Sequence, residues 1–242
     1  MSKKDDSETS IWISTADLLS GLLVIFLFVA VLMTESAEKN KTRAEKVEAA
    51  LKEVTTASNN ANLTLQKNIE GQFTPDELEK YHLSSGEIGH AYFKDGDINF
   101  RAGSSEITPA FKKVLDNFLP KYIRAIAKCD QNYIKEIRIE GHTSSEWSYS
   151  IAADPNYAYI RNMELSQSRT RAILDYALSI PELVQYHDLI KAKLTANGLS
   201  SSHLIIENGI ENKEKSRRIE FRVVANDQET LKQINETIKS NS

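Results

Sequence analysis

With a single cysteine, Cys129, the chain has no partner for an intramolecular disulfide. Its five histidines, His82, His90, His142, His187 and His203, are scattered, and no Cys/His cluster has the spacing of a metal site. A basic excess is also missing. The net charge of -4 and the pI near 5.8 argue against nucleic acid as the main partner, so no direct nucleic-acid contact is expected. Nor can a nucleophile–base–acid set be picked out. Ser166 and Ser168 occur in the same chain as His142, but no G-x-S-x-G or comparable context surrounds them. The protein reads as a non-enzyme with no cofactor.

One stretch almost lacks charge. "IWISTADLLSGLLVIFLFVAVLM", residues 11–33, is about the length a helix needs to cross a hydrocarbon core of roughly 30 Å. A signal peptide is the competing reading. The run is longer than a usual apolar signal core, and Ser36-Ala37 is a weak cleavage site, so an uncleaved anchor is favoured. Trp12 suits the membrane interface. Lys3 and Lys4 precede the run while Lys39, Lys41, Arg43 and Lys46 follow it, so the positive charges do not orient it.

The exception inside the run is Asp17. At helical spacing, Ser14, Asp17, Ser20 and Gly21 share one small, polar face, opposite Leu, Ile, Phe and Val. Such a stripe lets another helix approach closely and keep lipid off the carboxylate. The plainer alternative is that Asp17 sits at the interface as an N-terminal helix residue stabilised by the dipole.

Residues 1–10 are polar and read as a short mobile tail. Residues 34–70 form a helical linker without Gly or Pro until its end. Ala44, Val47, Leu51, Val54, Ser58, Ala61 and Leu65 are spaced 3-4-3-4-3-4, the pattern of a coiled-coil seam. Used as a seam it implies a parallel homodimer; a solvated single helix fits the pattern equally well. From residue 71 to 226 the composition is globular. Residues 109–128 read as a helix with Phe111, Leu115, Phe118, Leu119, Tyr122 and Ile126 on one face, kinked or divided at Pro120. "YIKEIRIEGH" alternates as a strand, with a possible slip between Ile134 and Ile137. "NMELSQSRTRAILDYAL" reads as a second amphipathic helix, and "SRRIEFRVV" as a strand closing the sheet. The fold class is α+β: an N-terminal transmembrane helix, a helical linker, then a mixed sheet with helices packed on it. Residues 227–242 read as a polar, helical tail.

Three segments in order, "GHTS" after a strand, "NMELSQSR" opening a helix and "SRRIEF" in the last strand, resemble the OmpA-like peptidoglycan-binding domain. That family runs G-H-T-D, N-x-x-L-S-x-x-R and N-R-R-V-E, and "INFRAGSSEITP" (98–109) is similar to its opening strand and turn. The resemblance spans roughly residues 90 to 225. It implies that Arg169 grips a stem-peptide carboxylate with its planar fork, in a groove lined by Asn162 and Leu165. Thr143 and Ser144 belong to the same groove. The family's aspartate, which takes the ligand ammonium, is replaced by Ser144; Glu146 is the candidate to supply the missing charge. The stretch between Thr143 and Asn162 is roughly ten residues longer than the family's usual spacing. It carries Trp147, Tyr149, Tyr157 and Tyr159, which either stack on sugar or pin the insertion to the core.

A short tail, one span with an Asp near its inner end, a helical linker and an OmpA-like domain together resemble the MotB class of stator subunits. The resemblance implies that Asp17 binds and releases the transported ion, with a proton the expected one, and that the span pairs with a MotA-like multi-span membrane protein. It also implies an inner-membrane location, with the N-terminus cytoplasmic and the wall domain periplasmic. The span departs from the flagellar "YADFMTAMMAFF"-like stretch. Within the class it is most similar to the ZorB subunits of the Zorya anti-phage systems. The alternatives are a static wall anchor and a flagellar-type stator.

Overall fold

The computed structural model describes residues 2–83, 89–94, 99–147 and 154–226, with Lys232 and Glu236 of the tail. The chain divides into two compact units, Met1–Val54 with Ile234–Ser242, and Thr55–Gln233. Helix α1, Ser2–Glu70, contributes to both. The polar residues before the apolar run continue its helical backbone from Ser2, so the expected mobile tail is helix there. The tail beyond residue 226 lies outside the described residues apart from Lys232 and Glu236.

In the first unit, α1 carries a window of mean hydropathy 2.6 with no part of it buried. Trp12, Leu18, Phe26, Phe28 and Met33 are all exposed. Among the described residues this is the one helix long and apolar enough to cross a membrane.

The second unit begins with the last turns of α1. Leu65 and Ile69 are buried in its hydrophobic core. Tyr133 donates a 2.7 Å hydrogen bond to Asn62 Oδ1. Leu65, the last position of the expected seam, is therefore occupied within its own chain. A short helix α2, Pro75–Lys80, follows with a complete capping box: Thr74 accepts from the Glu77 amide while Glu77 accepts from the Thr74 amide.

The core is built on aromatic rings. Helix α3, Pro109–Ala127, is capped by Thr108, whose hydroxyl accepts from the Phe111 amide at 3.1 Å. Its predicted apolar face is buried throughout. Pro120 neither ends nor divides the helix: it is buried within it, beside the buried Leu119 and Tyr122, and that burial outweighs the missing backbone hydrogen bond. Phe118 lies at the centre, with ring centroids 4.9 Å from Phe93, 4.9 Å from Tyr122, 5.1 Å from Phe221 and 5.3 Å from Tyr81.

The sheet comprises β1 (Ala91–Lys94), β2 (Ile134–His142), β3 (Leu194–Ser200) and the strand Arg218–Ala225, which follows the small hairpin of β4 (Ile206–Glu207) and β5 (Ile210–Glu211) and is β6. Its order is β1-β6-β2-β3. The last strand does not close the sheet; it inserts between β1 and β2, antiparallel to both. The reason is burial: Arg218 to Phe221 are buried without interruption, as a strand flanked on both sides must be. The expected slip in β2 is present, a register shift between Ile134 and Glu136. The opening strand is β1, upstream of the expected segment; within 99–109 only the isolated bridge Phe100–Ile107 pairs, and residue 98 is outside the described residues.

Helix α4, Pro155–Ser179, crosses from β2 to the parallel β3, through a 3-10 turn at Pro181–Tyr186 and helix α5, His187–Lys193. It starts two turns earlier than the motif suggests, with Asp154 as N-cap. Two glycines let it settle on the sheet. A Cβ on Gly141 would come within 2.9 Å of the Ser166 carbonyl, and one on Gly198 within 2.3 Å of the Gln167 amide. The glycine of the "GHTS" turn is thus a packing requirement.

Candidate functional site: an Asp-bearing helix and a groove beside α4

On α1, Asp17, Ser14, Ser20 and Gly21 are exposed. Ser20 turns its hydroxyl back to the Ala16 carbonyl at 2.7 Å, which satisfies it without a partner helix. Nothing within 4 Å would meet a Cβ on Gly21. The face is open to a neighbour in this unit, and Asp17 is its only charge.

The second site lies where β2 ends against α4. Thr143 and Ser144 are buried, and the Thr143 amide donates to the Ser200 carbonyl at 2.9 Å, which extends the β2–β3 pairing past the strand. Asn162 is buried, and its amide donates to the carbonyls of Ser144 at 3.1 Å and Glu146 at 3.0 Å. Asn162 therefore fixes the shape of the turn. Ser145 is held from the other side by Glu211 of β5, which accepts from its amide at 3.0 Å and from its hydroxyl. The Glu146 carboxylate is paired with Lys213, at the start of the four-residue helix α6 (Lys213–Ser216). The Thr143 hydroxyl is a buried polar atom without a hydrogen-bond partner among the described residues.

Arg169, two turns along α4 from Asn162, is only 5% exposed. Its Nε donates to the Ser104 carbonyl at 2.9 Å and its Nη2 to the Arg101 carbonyl at 3.2 Å. The guanidinium carbon stands 4.9 Å from the Phe100 ring centroid. The fork is thus locked in one orientation by the turn at residues 101–104. Leu165 is half-buried on the same helix. Ser166 has no catalytic geometry: its hydroxyl donates to the Met163 carbonyl at 3.0 Å and accepts from the Ser200 amide at 3.1 Å.

The aromatic insertion divides. Tyr157 and Tyr159 belong to the first turns of α4, with Arg161 stacked 5.2 Å from the Tyr157 ring centroid. The Tyr159 carbonyl accepts from Ser200. Trp147 is half-buried, and Tyr149 lies outside the described residues.

Beneath the groove, β2 and β6 bury a charged cluster of Glu140, His142, Arg218 and Glu220. Arg218 Nε donates to Glu220 Oε1 at 2.5 Å and its Nη1 to the His203 carbonyl at 3.1 Å. Burial alone would raise the Glu220 pKa, but hydrogen bonds from His90 and Arg218 overcome it and hold the group at about 2. Burial, and then the Arg218 charge, press His142 down to about 4. Sequence spacing gives no sign of this cluster or of Glu211, because their partners lie on strands remote in the chain.

The OmpA family model matches residues 99–218, the stretch holding α3, the groove and α4. The Zorya protein ZorB of Escherichia coli strain Crooks is 36% identical over 238 residues, covering 96% of this chain and 94% of that one. A second Zorya protein ZorB, from Escherichia coli O139:H28 strain E24377A, is 23% identical over 231 residues, covering 91% and 82%. Among solved structures, a putative MotB-like protein from Desulfovibrio vulgaris aligns with TM-score 0.42 and 22% identity, over 67% of this chain and 96% of that one. The first of these relatives matches from the apolar helix through the sheet at an identity well above chance, and by that full-length match the chain belongs to the ZorB family.

Proposed function

We propose that the chain is an ion-translocating stator subunit of an anti-phage system, working with a MotA-like multi-span membrane protein. Residues 1–10 lie in the cytoplasm, 11–33 span the inner membrane, and the domain from about Thr55 grips peptidoglycan in the periplasm. The observation that carries the reading is Asp17, set with Ser14, Ser20 and Gly21 on one face of an otherwise apolar, exposed stretch of α1. An aspartate in a membrane helix costs up to about 2.5–3.5 kcal/mol on insertion scales, the full figure holding at the centre and less toward the end where Asp17 lies. A static tether gains nothing for that cost. A carrier needs it, because a carboxylate screened from lipid by a partner helix binds and releases a cation or proton.

Wall binding is supported by the locked fork of Arg169, whose orientation is set before a ligand arrives. The turn at Thr143–Glu146 is likewise preformed by Asn162 and Glu211. Glu146 is paired with Lys213, so Glu211 is the better candidate for the carboxylate that Ser144 lacks. Two copies are expected, pairing along Ala44, Val47, Leu51 and Val54 and bringing two Asp17 carboxylates near a common axis. The test is Asp17→Asn, which keeps shape and hydrogen bonding and removes the ionisable group. Loss of phage protection with normal membrane levels and normal co-purification of the partner is expected; full protection would refute the motor.

A further inference from the structure

Within the cluster on β2 and β6 there is a gap. His142 Nε2 stands 3.9 Å from Glu140 Oε2 and 3.8 Å from Glu220 Oε1. One ligand atom from each of the three residues falls within 4.8 Å of the others. The residues are 4%, 5% and 7% exposed. Among the described residues, neither ring nitrogen of His142 has a hydrogen-bond partner. Glu140 is under-supported too: Arg138 and Arg222 approach it only to 3.8 Å. Buried polar groups are almost always bonded, and an exception calls for a bound ion or water. Leaving such a group unsatisfied is unfavourable.

We propose that His142, Glu140 and Glu220 bind a divalent transition-metal ion, with Zn2+ the best match, through His142 Nε2 and one oxygen of each carboxylate. One imidazole and two carboxylates are a donor set that suits zinc, and three protein ligands leave a fourth position for water. Bonds of roughly 2.0–2.2 Å in a tetrahedron put ligand atoms roughly 3.3–3.6 Å apart, so the two gaps at His142 close by a few tenths of an ångström around the ion and the carboxylates draw together from a separation of at most 4.8 Å. Two carboxylate ligands would offset the charge of a divalent ion. His90 holds Glu220 Oε2 at 2.8 Å and Arg218 holds Oε1, which orients the carboxylate from outside. Arg138, Arg222 and Arg218, whose Nε bonds Glu220 Oε1 itself, oppose a cation. Arg138 is partly exposed and already paired with Glu136, so it can turn toward water. The bound ion would pin β2, which leads directly into the Thr143–Ser144 turn, to β6. A buried water on the same three groups is the rival, since hydrogen bonds of roughly 2.8 Å fit the gap without movement.

The full chain, purified in detergent micelles without a histidine tag and stripped with chelator, would be titrated with ZnCl2 by calorimetry and with Co2+ by visible absorption. The proposal expects one Zn2+ per chain, a rise in Tm, and the intense Co2+ bands of four or five coordination. His142→Gln and Glu140→Gln should each weaken binding by roughly tenfold or more. His187→Gln, remote from the cluster, should change nothing. If His142→Gln does not fold, the wild-type Co2+ spectrum and Glu140→Gln decide. No zinc taken up at equimolar metal, or binding indifferent to both ligand variants, would overturn the site and leave a buried water.

Discussion

Arg169 Nε donates to the carbonyl of Ser104 at 2.9 Å, which ties the middle of α4 to the turn before α3. The same side chain is therefore both a strut and the candidate ligand fork. Arg169→Ala should cost about 1.5–3 kcal/mol of wall binding, roughly ten- to a hundred-fold, in co-sedimentation of the domain with purified peptidoglycan. Arg169→Lys should lose nearly as much, because an ammonium cannot hold two divergent carbonyls and lie on Phe100. Wild-type sedimentation no greater than that of a control protein would defeat the wall-binding reading.

The end of α1 makes a second prediction. Leu65 and Ile69 are each 2% exposed, inside the core of the second unit. A fragment from Gly71 to Ser242 should be less stable than one from Thr55 by about 3–6 kcal/mol, from the two lost side chains. Chemical denaturation of both fragments measures it. Equal midpoints and slopes would show that the helix end is not part of the domain's core.

Farther up the helix, Leu51 is 52% exposed and lies on the expected seam. In a Cys129→Ser background, a cysteine at Leu51 should crosslink readily to its own copy under oxidation. Cysteines at Ala49 and Lys52, off the seam, should crosslink poorly. Equal yields at all three would mean no defined pairing, and none at any would argue for a monomer.

Glu77 gives a pH test outside the groove. A hydrogen bond from Lys121 at 2.6 Å, with others from Asn117 and the Thr74 amide, lowers its pKa from 4.5 to about 2. The folded value is depressed, so the unfolded chain takes up the proton first as pH falls. The stabilisation is complete above about 4.5 and is lost as pH drops toward about 2. Glu77→Gln should lower stability at pH 7 by about 1–3 kcal/mol, with the difference shrinking over that window. A gap that stays constant with pH would refute the ionic origin.

What the sequence discloses depends on how local the physics is. The face of α3 and the slip in β2 are readable because period and burial coincide along one segment. The long apolar helix and the groove motif are readable for the same reason. The place of β6 is not, because it is set by which strands need two neighbours. Leu65 has the same i, i+3, i+4 pattern whether it meets another chain or its own domain. Glu211 meets Ser145 across 66 residues and Glu220 faces His142 across 78, so no spacing rule can find those pairings.

The central claim is that Asp17 carries an ion through the membrane. Inverted membrane vesicles containing the chain and its multi-span partner, with a pH-sensitive dye to report proton flux and a sodium indicator beside it, address it directly. The account predicts cation flux in wild-type vesicles that Asp17→Asn reduces to the level of vesicles holding the partner alone, at equal amounts of both proteins. Equal flux from wild type and Asp17→Asn, or none above the partner alone, would contradict it.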